Sequence, residues 1–103
     1  MNLQSVFSVP KTVLARRVGD EIVVLDLGGG EYFGLPEIGG RMWELLVEGK
    51  SLQEVTDAMV GEFEIDRLTV ERDLIGFAGD LCSKGLLVTM PTATQAAAGG
   101  SEV

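Results

Sequence analysis

At Pro36 the hydrophobic period of this sequence changes, and that change constrains the fold more than any other feature. Ahead of it the apolar residues fall in short β-branched runs; behind it they recur every three or four residues. A chain patterned this way folds as a small sheet followed by helices. Residues 12–18 and 21–27 read as two strands joined at Gly19-Asp20, residues with the φ freedom of a tight hairpin. Gly28-Gly29-Gly30 permits a second reversal, and Glu31, Tyr32, Phe33, Gly34 and Leu35 return as a third strand. The strand period puts Tyr32 and Gly34 on one face, Phe33 and Leu35 on the other. The expected sheet is a three-stranded antiparallel meander.

After Pro36, the stripe Ile38, Met42, Leu45 and Leu46 predicts a helix over 37–48, stopped by Gly49. Ser51 with Glu54 three residues on is a capping-box signature, and Leu52, Val55, Met59 and Phe63 continue a helical face over 52–62. A third helix, capped by Asp66 or Thr69, runs to Lys84, and Leu86-Leu87-Val88 follows as a short extended piece closing the core. Leu68, Val70, Leu74, Ile75, Phe77, Ala78, Leu81 and Cys82 occupy an arc about 180° wide on this helix, broader than one core face needs. The expected class is α+β. Residues 1–11 read as an N-terminal lead-in whose order the sequence leaves open, 12–90 as the domain, and 91–103 as a flexible tail with little to bury.

Charge and composition remove several functions. With 16 acidic against 8 basic residues, the formal charge of −8 repels phosphate backbones, and the cations are scattered, with only Arg16 and Arg17 adjacent. Nucleic acid is not the expected partner. There is no histidine and one cysteine, which excludes a disulfide framework, Cys/His zinc sites and imidazole acid-base chemistry. No cofactor or metal is expected. Cys82 has no histidine to activate it and lies on the apolar arc, so it reads as a structural thiol. Gly28-Gly29-Gly30 lacks the spacing of a phosphate loop and leads into Tyr and Phe rather than a helix. The pairs Glu62 with Glu64 and Glu71 with Asp73 show no metal-ligand spacing and read as solvated surface, Asp73 excepted, and Trp43 reads as helix packing. No apolar run approaches the length that spans a bilayer, and no basic region opens the chain, so membrane association is not expected and the location is expected to be cytoplasmic.

Two features exceed what packing requires. A short aromatic strand with an unpaired edge, beside a helix apolar on both flanks, makes a groove that can accept an extended peptide. The ladder is assigned to Glu31, Tyr32, Phe33, Gly34 and Leu35. The facing wall is assigned to Val70, Asp73, Leu74 and Phe77, which fall within about 100° of one another on the helix, with Asp73 available to a peptide amide or cation. The alternative wall is Leu68, Ile75 and Cys82.

The runs Val24-Leu25-Asp26-Leu27, Gly30-Glu31-Tyr32-Phe33-Gly34-Leu35, Glu37-Ile38-Gly39 and Met42-Trp43-Glu44-Leu45-Leu46 resemble the PQQ-biosynthesis protein D family. So do Leu52-x-Glu54-Val55, Val70-x-x-Asp73-Leu74-x-x-Phe77, Leu81 and Gly85-Leu86-Leu87, and the match runs in order over residues 13–88. The resemblance implies a winged-helix-like fold that binds the leader of a ribosomally made precursor peptide as an added strand, against the helix carrying Asp73, Leu74 and Phe77. It implies a non-catalytic protein that presents the precursor to a leader peptidase, cyclase or radical enzyme, in a lasso-peptide or PQQ-like pathway. One departure is Pro36, where the family commonly has Asn as a helix cap; proline suits a first helical turn. The reading set against these is a winged-helix DNA-binding regulator.

Overall fold

The computed structural model describes residues 2–90. In chain order the elements are β1 (Val6–Ser8), β2 (Val13–Val18), β3 (Glu21–Asp26), β4 (Glu31–Leu35), α1 (Glu37–Val47), α2 (Leu52–Phe63), α3 (Arg67–Ser83) and β5 (Val88–Met90). The meander β2-β3-β4 and the three helices are those read from the hydrophobic period, and the class is α+β and winged-helix-like. The tail expected over 91–103 lies outside the described residues.

Local chemistry sets each reversal. Gly19, at φ +64°, takes the first central position of the β2–β3 turn, a backbone state that costs a side-chain-bearing residue more, and Val18 then faces Glu21. In the β3–β4 connection the Asp26 carboxylate accepts from the Gly28 N–H at 3.1 Å, and the Gly30 N–H donates to the Asp26 carbonyl at 2.8 Å. This register pairs Leu25 with Tyr32 and Val23 with Gly34, while across β2–β3 Leu14 faces Leu25 and Arg16 faces Val23. Because side chains alternate, one sheet face carries Val13, Ile22, Val24 and Leu35, all buried beneath the helices. The other face carries Leu14, Arg16, Val18, Glu21, Val23, Leu25, Tyr32 and Gly34.

The helices pack on the inner face. Gly40 of α1 is buried so closely that a Cβ there would lie 2.8 Å from Ile22 Cγ1, which lets α1 approach β3. Met42, Trp43, Leu45 and Leu46 fill the space beyond it. Ile38, expected on that stripe, is instead exposed: it sits in the first turn, where the helix has just left β4 and no element covers that side. The capping box forms as read, with Ser51 Oγ accepting from the Glu54 N–H and the Glu54 carboxylate accepting from the Ser51 N–H. Asp66 caps α3 through the Thr69 N–H at 3.1 Å.

Two differences from the sequence reading concern the ends. The extended piece begins at Val88 rather than Leu86, because Leu86 is held in the helix terminus. Gly85, at φ +76°, donates to the Cys82 carbonyl and Leu86 to the Leu81 carbonyl, a Schellman closure that buries Leu86 and Leu87. At the other end, the lead-in contains β1, which pairs antiparallel with β5, setting Phe7 opposite Thr89 and burying the Phe7 side chain in the core. Just before it, the carbonyls of Ser5 and Leu3 accept from Leu52 and Gln53, two of the N–H groups that the start of α2 leaves free.

Candidate functional site

β4 is the last strand of its sheet: β3 occupies one edge, and no described strand occupies the other. Alternate residues of an edge strand direct both backbone groups away from the sheet, so a segment of this length offers an incoming chain a short ladder. Its side chains divide as the period requires. Leu35 is buried and Phe33 half-buried on the helix side, while Tyr32 is 74% exposed and Gly34 leaves a gap on the outer side.

α3 supplies the neighbouring surface. Val70, Leu74, Ala78 and Leu81 form its core stripe, each at 4% exposure or less, so Val70 and Leu74 lie within the core rather than on a groove surface. Phe77 stands on one margin of that stripe, half-buried and packed against the core. A methyl group built on Gly39 would lie 3.7 Å from the Phe77 ring and 3.9 Å from Leu35 Cβ. The end of β4, the first turn of α1 and the Phe77 margin of α3 therefore meet at one point. Asp73, one turn before Phe77, is exposed, with its carboxylate 3.6 Å from Arg72 Nε. Leu68 and Ile75 occupy the opposite margin and reach solvent at 74% and 43%, and Cys82 there is half-buried. The broad apolar arc of α3 is thus one core stripe with an apolar margin on each side.

Sequence reasoning assigned no site role to Gly39, which the structure places at this junction. The adjacent pair Gly39-Gly40 near a helix start was the available signal, because glycine inside a helix costs about 1 kcal/mol relative to alanine. Gly40 is required by Ile22, whereas Gly39 keeps open the space between Leu35 and Phe77.

The strongest ion pairs lie elsewhere. Arg17 of β2 bonds to Glu44 of α1, and Arg41 of α1 bonds to Glu44 and, in a two-pronged contact at 2.9 Å on each prong, to Glu62 of α2. The Arg17 hydrogen bond, reinforced by Arg41, holds the Glu44 carboxyl below its ordinary value; Arg41 does the same for Glu62 and is itself pushed up. This network ties the sheet to two helices. Among the described residues no cluster of His, Cys, Asp or Glu is placed to hold a metal ion, and no helix is long and apolar enough to cross a membrane. The chemistry on offer at the junction is an open backbone edge, an apolar margin formed by Leu35 and Phe77, and a nearby carboxylate.

Comparison with known proteins points the same way. The profile of the family described as coenzyme PQQ synthesis protein D (PqqD) matches residues 21–87. A solved structure of TbiB1 in complex with the TbiA(beta) leader peptide is 45% identical, with a TM-score of 0.74 over 78% of this chain and 93% of that one. A lasso peptide synthetase B1 complexed with the leader peptide superposes with the same TM-score at 24% identity, covering 80% of this chain and 96% of the other, which supports the shared fold. No curated protein matches.

Proposed function

We propose that this chain, which belongs to the PqqD family, binds the leader segment of a ribosomally synthesised precursor peptide by strand addition and presents it to a processing or modifying enzyme. The observation that carries the reading is the free edge of β4 beside the apolar margin of α3, in a chain 45% identical to one solved with a leader peptide. Glu31, Tyr32, Phe33, Gly34 and Leu35 form the ladder. Phe77 and Asp73 form the facing wall, with Val70 and Leu74 backing it from the core, and Gly39 closes one end. The likeness to the two leader-bound proteins favours a lasso-peptide pathway over PQQ synthesis.

Magnitudes assign separate tasks to backbone and pockets. Four or five ladder bonds at about 0.5–1.5 kcal/mol each only begin to offset an association cost of about 4–15 kcal/mol. Two or three peptide side chains buried at about 1.5–3 kcal/mol apiece bring the affinity into the micromolar to nanomolar range. The ladder sets register and the pockets set which peptide is held. A presenting role needs no catalytic group, and the chain acts in the cytoplasm, where precursor peptides are made. The regulator reading is disfavoured because α3, in the place of a recognition helix, would bring Glu71, Asp73 and Asp80 towards phosphates.

The test is titration of the ¹⁵N-labelled chain with the TbiA(beta) leader peptide, the ligand of the 45% identical protein. Amide shifts are expected to concentrate at residues 31–35, Gly39 and Phe77. Shifts confined to Leu68, Ile75 and Cys82 would move the wall to the other margin of α3, and tight binding of mixed-sequence duplex at low salt would replace the reading altogether.

A further inference from the structure

We propose that the outer face of the β2-β3-β4 sheet is the docking surface for the processing enzyme, and that it accepts an apolar protein patch bearing a carboxylate. The inference rests on the presenting function above and locates its second partner. Leu14, Val18 and Leu25 are 54%, 56% and 37% exposed on this face, and Tyr32 extends the same apolar surface to the β4 edge. Leu14, Ala15, Arg16, Val18, Val23 and Leu25 surround a hollow of about 440 Å³ over β2 and β3. α1 packs on the other side of the sheet, against Ile22, and the exposed side chains on this side show no described element covering them. A sheet of this size needs one apolar face for its own core, and a second contiguous one marks an interaction surface.

Charge identifies the kind of partner. Arg17, Arg41, Lys50, Arg67, Arg72 and Lys84 all pair with carboxylates. Arg16, between Leu14 and Val18 on the edge strand β2, makes no ion pair among the described residues, although acidic residues outnumber basic ones two to one and Glu21 lies on the same face beside Gly34; Lys11, outside the sheet, makes none either. A guanidinium left free among apolar side chains fits a carboxylate within an apolar patch on the partner, where exclusion of water strengthens the pair. The position is also suited to the task. The hollow lies over β2 and β3, and Tyr32 and Gly34 carry the face on to the β4 edge where the leader would add, so a protein that covers the face from the hollow to β4 would border the outward side chains of the bound peptide.

The experiment uses the full chain with its cognate precursor peptide and leader peptidase. Leader affinity is read by fluorescence anisotropy, and the cleavage rate is read with the chain limiting. Leu14→Asp and Arg16→Glu are expected to hold the leader within about twofold of the parent and to lower the cleavage rate at least about tenfold, while Lys84→Glu, exposed at the end of α3, changes neither. Cleavage at the parent rate by variants that still hold the leader would overturn the docking proposal and leave the peptide reading intact. A parent chain that does not hold the leader would overturn both. Light scattering covers the remaining occupant: a parent dimer split by Arg16→Glu would show that a second copy fills this face, against the proposal.

Discussion

Gly40 and Gly76 are both helical glycines, and their surroundings give them opposite roles. A Cβ on Gly40 would meet the Ile22 side chain at 2.8 Å with the β3 backbone close behind, whereas a Cβ on Gly76 or Gly79 would meet nothing within 4 Å. Gly40→Val is therefore expected to destabilise the fold by about 2–3 kcal/mol through overpacking. Gly76→Ala and Gly79→Ala are each expected to stabilise it by about 0.5–1 kcal/mol through helix propensity alone. Thermal melts separate the two classes, since 1 kcal/mol moves the midpoint of a domain this size by about 4–8 °C. A stabilised Gly40→Val would mean that α1 does not approach β3 as closely as described. Nothing in the sequence distinguishes these glycines, because the distinction lies in what stands opposite each.

Between elements, the point where β4, α1 and α3 meet is the one to alter. Gly39 has room for a side chain at ordinary contact distance from Phe77 and Leu35, so Gly39→Leu would fill the proposed pocket without breaking α1. We expect leader affinity to fall by at least about tenfold, or 1.4 kcal/mol, with the melting temperature little changed. Unchanged affinity would shift attention to Leu68 and Ile75. The elements themselves were legible: the change of period at Pro36, the turn at Gly19, the Ser51–Glu54 box and the Asp66 cap are local signals, and each formed. Pairing of β1 with β5 was not legible, because three-residue strands carry no period and the partners lie at opposite ends of the described chain. Ile38 shows the same limit, since its stripe position is helical but its exposure depends on what packs over the first turn.

Across the whole molecule, the Arg17–Glu44–Arg41–Glu62 network joins the sheet to α1 and α2, and its effect on stability has a definite pH sign. Glu44 and Glu62 have folded-state values below their ordinary 4.5, so each contributes stability above that pH and loses it as the pH falls through the depressed value. Arg41→Gln is expected to cost about 0.5–1 kcal/mol at neutral pH, as partly exposed pairs do. The difference from the parent should shrink as the pH is taken below 4.5, and also in high salt. Urea unfolding at neutral and acid pH checks this. A difference that persists when Glu62 is protonated would assign the effect to packing of the Arg41 stem.

By itself the sequence determined which residues share a face, where the chain turns and how the helices begin, because periodicity and capping are properties of neighbours along the chain. It also carried the family resemblance and the expectation of an open strand edge at residues 31–35. Only the tertiary structure decided which shared faces are covered. It placed Val70 and Leu74 inside the core, brought Phe77 to Gly39 at the end of β4, and left the side of the sheet bearing Leu14, Arg16 and Val18 uncovered. A period states that two residues point the same way; what they point at depends on contacts between segments far apart in the chain, which no local pattern records.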